Sequence, residues 1–375
     1  MNSTLPDNSK LDIAALSRLF ASTTNSYKYV FFISCLEILR RREFNTAEPI
    51  SFQELTVEML VTAWYPHSYF RLSFGLQDRI TAKLDSLKLS IGKPVLKFRD
   101  SDKKLLREII SRQQPDNSLM HYVPFRTLRP FFELELRGKP DYLIDDAIAR
   151  LATEKYDERQ PLYRFSARED QLIFHPVWAE YFKTHYSIIK GWVAWHWLEY
   201  MQRCNQGVPA VSSKLFPPQG RDSLRVQTEF WKIAIRHGKL KCIYSDILLE
   251  PDRISLDHYL PWSFIAHDHL WNLIPTLQEV NSSKSDCLPS QSYFDSFVNL
   301  QHQGLVITNQ QAGERKWEKY IEPYIADLKI SDKLDLLDQQ KLRQAYESNL
   351  LPLLELAKSL GFSPDWRFRP PSSHK

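Results

Sequence analysis

The stretch "RISLDHYLPWSFIAHDHLWNLIPTLQEVNSSKSD", Arg253–Asp286, decides how this chain is read. A β-prone run ends in an aspartate and a histidine side by side, with Pro261 three residues beyond His258. Neighbouring strand residues point to opposite faces, so Asp257 and His258 can converge only where the strand is ending. Asn272 follows His258 by fourteen residues, and Asn281 lies nine further on, leading into Lys284-Ser285-Asp286. "NLIPTLQEVNSSKSD" reads as a short linker entering a helix, on which Asn281 and Lys284 share a face one turn apart. Upstream, "CIYSDILL" (Cys242–Leu249) is another β-prone run, and the "EPD" turn between the two runs predicts a hairpin. The outline is strand, strand, helix within about fifty residues.

Asp257-His258, Pro261, Ser263, Asn272-Leu273 and Asn281-x-x-Lys284-Ser285-Asp286 together resemble the HNH endonuclease family. Their spacing is similar above all to the HNH domain of the RNA-guided type II CRISPR effectors. The resemblance covers about a seventh of the chain. It implies a ββα-metal module in which His258 is the general base and Asp257 and Asn281 hold Mg²⁺, with Mn²⁺ as a substitute. Cleavage of a phosphodiester needs an activated water and neutralisation of charge growing on the phosphate. An imidazole is suited to accept the water's proton at cellular pH, and a carboxylate supplies the hard oxygen that Mg²⁺ prefers. The resemblance further implies that Asn272 braces the loop that aims His258, and that Lys284 contacts a phosphate. The zinc-stapling C-x-x-C pairs of many relatives are broken here: Cys242 is present, but Ser245, Leu277 and Val280 stand at the other positions. Structural zinc is therefore not expected, and Tyr244, Leu248, Leu260, Trp262, Trp271 and Leu273 are the expected core of the module.

Outside this stretch, the composition is that of a globular, mostly helical protein. Of 375 residues, 43% are hydrophobic and only ten are glycine, which leaves little material for glycine-rich phosphate loops. The fold class expected is α+β, mostly α-helical, with the ββα-metal (HNH) module embedded in a helical body. The chain divides into an N-terminal helical domain (1–135), a helical region with a small β-hairpin (136–230), the nuclease module (231–310) and a C-terminal helical segment with its tail (311–375). Helical periodicity marks Leu11–Phe20, Ser26–Arg42, Asp78–Leu87, Ser101–Gln113, Val177–Arg203 and Leu224–His237, and Ser51-Phe-Gln-Glu54 is a capping box. A hairpin is expected at about Leu162–Phe174. Asn205–Asp222 reads as a connector, a polar turn follows Leu305, and the C-terminal helix runs to about Leu360 before an extended tail without contacts.

The net charge of +4 is compatible with a nucleic-acid partner without requiring one. Lys214, Arg221, Arg225, Lys232, Arg236, Lys239 and Lys241 precede the motif, and of these Arg236, Lys239 and Lys241 are assigned to the DNA backbone; otherwise the run is a solvated face. "RRR" (Arg40–Arg42) reads as a solvated helix end. Trp192, Trp195, Trp197 and Tyr200 read as helix packing. His267 and His269 read as exposed loop residues, since no third ligand is spaced nearby to complete a zinc site. No apolar run is long enough to cross a bilayer, the N-terminus is unlike a signal peptide, and the scattered cysteines suit a reducing cytoplasm. The expectation is a cytoplasmic DNA endonuclease or nickase, with phage defence or restriction as the setting that the resemblance suggests. The alternatives are a non-catalytic nucleic-acid-binding subunit, or a nuclease silent until a protein partner or guide complex activates it.

Overall fold

The computed structural model describes residues 5–89, 100–217 and 223–370, and these gather into two compact units, one within residues 1–220 and one within 208–375. Helices dominate both, with small antiparallel sheets, so the fold is α+β and mostly α. Among the described residues no helix is long and apolar enough to cross a membrane.

In the first unit, helix α1 (Tyr27–Arg41) packs on helix α2 (Phe52–Trp64). The capping box holds: Ser51 Oγ accepts the Glu54 N–H at 3.1 Å. Strands β1 (Ile50–Ser51), β2 (Tyr163–Phe165) and β3 (Gln171–Phe174) form a sheet with β3 in the middle. The arginine run is exposed at Arg40 and Arg41, as expected of a helix end, and it is ion-paired as well. Arg40 pairs with Glu37 one turn back on α1, whereas Arg41 and Arg42 pair with Glu58 and Glu54 of α2. The long aromatic helix is two, α3 (Pro176–Thr184) and α4 (Tyr186–Cys204), broken at His185. Trp192, Trp197 and Tyr200 are buried as packing residues, whereas Trp195 is exposed.

In the second unit, helix α5 (Arg225–His237) crosses helix α7 (Phe294–Gln311), the first pair of a cluster that supports the small sheet. Gly304 permits the crossing, since a Cβ there would lie 2.8 Å from the buried Trp231 ring. Strand β4 (Ser255–His258) pairs antiparallel with β5 (Leu273–Thr276), in the register Asp257 opposite Ile274 and His258 opposite Leu273. Helix α6 (Gln278–Lys284) follows directly and packs on β4. Helices α8 (Glu314–Asp327) and α9 (Gln339–Ser359) complete the unit.

Four expectations are corrected here. The partner of β4 is Leu273–Thr276, expected to be a linker, and not Cys242–Leu249. That upstream run folds on itself: the Cys242 N–H donates to the Ile247 carbonyl and the Asp246 N–H to the Cys242 carbonyl, both at 2.9 Å. Asp246 takes a left-handed backbone (φ 58°), a conformation aspartate tolerates better than β-branched residues do, so local turn chemistry overrides β propensity. As a result Leu248 is 54% exposed instead of buried, while Tyr244, Leu260, Trp262, Trp271 and Leu273 are all in the core. The third correction concerns the tail. Through Phe368 it is docked: Trp366 exchanges main-chain hydrogen bonds with Leu288 and Ser290, and its ring packs edge-on to Tyr244. The aromatic side chains of "WRF" supply apolar area worth burying. The helix ahead of the polar turn also runs on to Gln311, narrowing that turn to Ala312 and Gly313.

Candidate active site

Strand β4 ends in the two residues that the motif singles out. Asp257 is 2% exposed, and its carboxylate accepts from the Tyr244 hydroxyl at 2.8 Å and from Lys284 Nζ at 3.1 Å. Burial, and then the Asp257 charge, push the Tyr244 hydroxyl well above its ordinary range, so it remains a donor. Lys284 is fully buried and also donates to the His258 carbonyl at 2.6 Å. Its phosphate-contacting role is therefore corrected. Asn281 and Lys284 do share a helix face, but that face lies on β4 and not in solvent. Asn281 Nδ2 donates to Ser255 Oγ at 2.7 Å and to the Leu256 carbonyl at 3.0 Å.

His258, the last residue of β4, takes its side chain to different partners. Its Nε2 lies 2.7 Å from Asp268 Oδ1, and both side chains are mostly buried. The Asp268 carbonyl accepts from Gln227 Nε2 of α5 at 2.9 Å, which ties this loop to the helical body. With the carboxylate fixing the proton on Nε2, Nδ1 keeps its lone pair and can act as a base. Sequence reasoning did not select Asp268. Its one available signal was its place inside "AHDH", ten residues after His258.

Asn272 is fully buried, and its amide clamps Leu260 at both ends: Oδ1 accepts the Leu260 N–H at 2.8 Å and Nδ2 donates to the Leu260 carbonyl at 2.9 Å. The turn after His258 is thereby closed on the start of β5. The carbonyls around Asn272 are held in turn by the helices. Trp231 Nε1 and Gln301 Nε2 both donate to the Leu273 carbonyl at 3.1 Å, and the Tyr346 hydroxyl donates to the Trp271 carbonyl at 2.9 Å. Tyr324 orients Gln301 by donating to its Oε1 at 2.6 Å. Three helices thus fix a loop that would otherwise leave buried carbonyls unpaired.

Residues 242–290 match the family model described as HNH endonuclease. This segment is an HNH-family domain. The match begins at the Cys242 turn, spans β4, β5 and α6, and ends where the docked tail bridges Pro289 to Trp366. The family implies endonuclease activity on nucleic acid, and its members depend on a metal ion. No solved structure matches the chain.

Asp257 and Asn281 carry the hard oxygen donors that a divalent cation takes, with Lys284 standing on the carboxylate. Ser255 and Leu256 engage the amide nitrogen of Asn281, so its oxygen is the end left for a ligand. A carboxylate oxygen can take more than one partner, so Asp257 has capacity beyond Tyr244 and Lys284. Arg236, Lys239 and Lys241 are exposed around the end of α5, with Lys241 Nζ 2.8 Å from the exposed Asp246 carboxylate. Arg221 and Asp222 lie outside the described residues.

The expectation for "AHDH" is corrected as well. His267 and His269 are partly buried, their rings stack with centroids 4.1 Å apart, and a third group does reach them. Asp327, the last residue of α8, accepts through Oδ2 from His269 Nδ1 and from Trp271 Nε1, each at 2.5 Å. Burial, and then the neighbouring His269 ring, push His267 down to about 4. Burial alone would raise Asp327, but the His269 and Trp271 hydrogen bonds outweigh it and hold that carboxyl below its usual range. The third group escaped the sequence because it lies 58 residues from His269.

Proposed function

We propose that the chain is a Mg²⁺-dependent DNA endonuclease or nickase, able to use Mn²⁺, in which His258 is the general base. The observation that carries this reading is the His258–Asp268 pair at the end of β4, next to the buried Asp257. His258 Nδ1 would take the proton of the attacking water while Asp268 stabilises the imidazolium that forms. Asn272 would keep the ring aimed by closing the turn onto Leu260. Asp257 and the Asn281 amide oxygen would hold the cation, which would neutralise charge growing on the phosphate. Arg236, Lys239 and Lys241 are offered as exposed cations for the DNA backbone. Family chemistry implies a 5′-phosphate and a 3′-hydroxyl. One such centre cuts one strand, so a double break would need two copies or a second nuclease. A cytoplasmic role in phage defence or restriction is the setting this reading favours, with a protein or guide complex as a targeting partner.

The test is nicking of supercoiled plasmid across a metal series, comparing the wild type with His258→Ala. Metal-dependent nicking abolished by the substitution is the expected result. Binding without cutting under every metal would leave the HNH domain as a nucleic-acid-binding scaffold.

A second reading rests on one observation. Lys284 already balances Asp257, and the carboxylate is nearly inaccessible, so a cation reaches it only if Lys284 yields. That favours an enzyme held silent until substrate or a partner opens α6 away from β4. Its signature is nicking that appears only on reconstitution.

A further inference from the structure

The "AHDH" loop and the end of α8 bring three metal-ligating side chains together at a place separate from Asp257 and Asn281. One ligand atom each from His267, His269 and Asp327 lies within 4.8 Å of the others. Bonds of about 2.0–2.1 Å to a tetrahedral ion put ligand atoms roughly 3.3 Å apart, so small side-chain rotations would close the set. Trp271 Nε1 donates to the Asp327 carboxylate, the kind of outer hydrogen bond that orients a ligand. We propose that His267, His269 and Asp327 form a second divalent-metal site, for Zn²⁺ or a comparable transition ion, that staples the loop carrying Asp268 to helix α8.

The chemistry selects the ion. Two imidazoles and one carboxylate suit Zn²⁺ and its neighbours, whereas Mg²⁺ prefers oxygen alone. Three protein ligands leave a fourth position for water. The place selects the role. Asp268 lies between the two histidines in sequence and holds His258 Nε2, so an ion here would hold in place the residue that fixes the candidate base. The thiolate staple that Ser245, Leu277 and Val280 interrupt would have a nitrogen-and-oxygen counterpart elsewhere in the unit. His267, His269 and Asp327 are positioning residues in this scheme.

The test counts metal on the full chain and does not depend on nuclease activity. EDTA-stripped protein is loaded with Zn²⁺ or Co²⁺, freed of excess ion and assayed for bound metal. The wild type, His269→Gln, Asp327→Asn and Asn281→Ala are compared. The expected result is one Zn²⁺ per wild-type chain, with ligand-field bands of four-coordinate Co²⁺. Binding should weaken about tenfold or more in His269→Gln and Asp327→Asn and persist in Asn281→Ala. X-ray absorption of the Zn²⁺-loaded wild type should show two imidazoles on the metal, a reading that does not depend on any variant folding. No stoichiometric ion in the wild type, one imidazole or none, or loss in Asn281→Ala with retention in the other two would each overturn the proposal.

Discussion

Replacing Lys284 by methionine removes the ammonium paired with Asp257 while keeping most of the side chain's volume. Two charge-assisted hydrogen bonds vanish, one to Asp257 at 3.1 Å and one to the His258 carbonyl at 2.6 Å. Each is worth about 1.5–3 kcal/mol. Breaking a buried pair by removing one partner costs about 3–5 kcal/mol, and the two routes agree. Tyr244 then remains as the hydrogen-bond donor described for a carboxylate that is 2% exposed. The expected loss in unfolding free energy is therefore about 3–5 kcal/mol in EDTA, measured by urea denaturation followed through tryptophan fluorescence. Mg²⁺ at a hundredfold excess over its dissociation constant should return about 2.7 kcal/mol to Lys284→Met, because the cation takes the vacated side of Asp257. The wild type should gain less, since there the ion competes with Lys284. A loss below about 1 kcal/mol, or equal Mg²⁺ stabilisation of both proteins, would refute the argument that one locus accepts either cation.

Asp268→Asn should lower the nicking rate roughly a hundredfold with little change in KM, because it loosens the base without touching substrate; an unchanged rate would remove Asp268 from the site. Gly304→Ala should destabilise the protein by about 1–3 kcal/mol, since the new methyl meets Trp231 at 2.8 Å, and a thermal melt identical to wild type would contradict the close crossing. The pH dependence of stability should carry a term from Glu37. Burial alone would raise its carboxyl, but Lys190, Tyr186 and Arg40 outweigh burial and hold it at about 2. A depressed carboxyl stabilises fully above its ordinary value near 4.5 and loses that contribution as pH falls towards about 2. Glu37→Gln should therefore cost about 2–3 kcal/mol at neutral pH and flatten the acid limb of the curve, and identical limbs in both proteins would sink the assignment.

Much of the HNH domain is legible because its signals are local. Strand β4 ends at the Asp257-His258 pair and Asn281 lies on helix α6, both where the pattern sets them, and the Ser51 capping box of the first unit forms for the same reason. Cys242–Leu249 misled because its β-prone residues enclose a Tyr-Ser-Asp turn, with Asp246 left-handed, that folds the run on itself. The aromatic tail and the pairing of Arg41 and Arg42 were underestimated for the opposite reason, since their partners come from other segments.

The sequence by itself determined which residue types stand at the end of β4, that the chain is mostly helical, and that an HNH pattern occupies one stretch of it. Only the tertiary structure decided which faces are covered. Helix α6 turns Lys284 inward onto Asp257, the loop folds Asp268 back to His258, and the end of α8 brings Asp327 to His267 and His269. The physical reason is range: side-chain periodicity and turn chemistry act over a few residues, whereas burial and charge pairing depend on neighbours delivered from far along the chain.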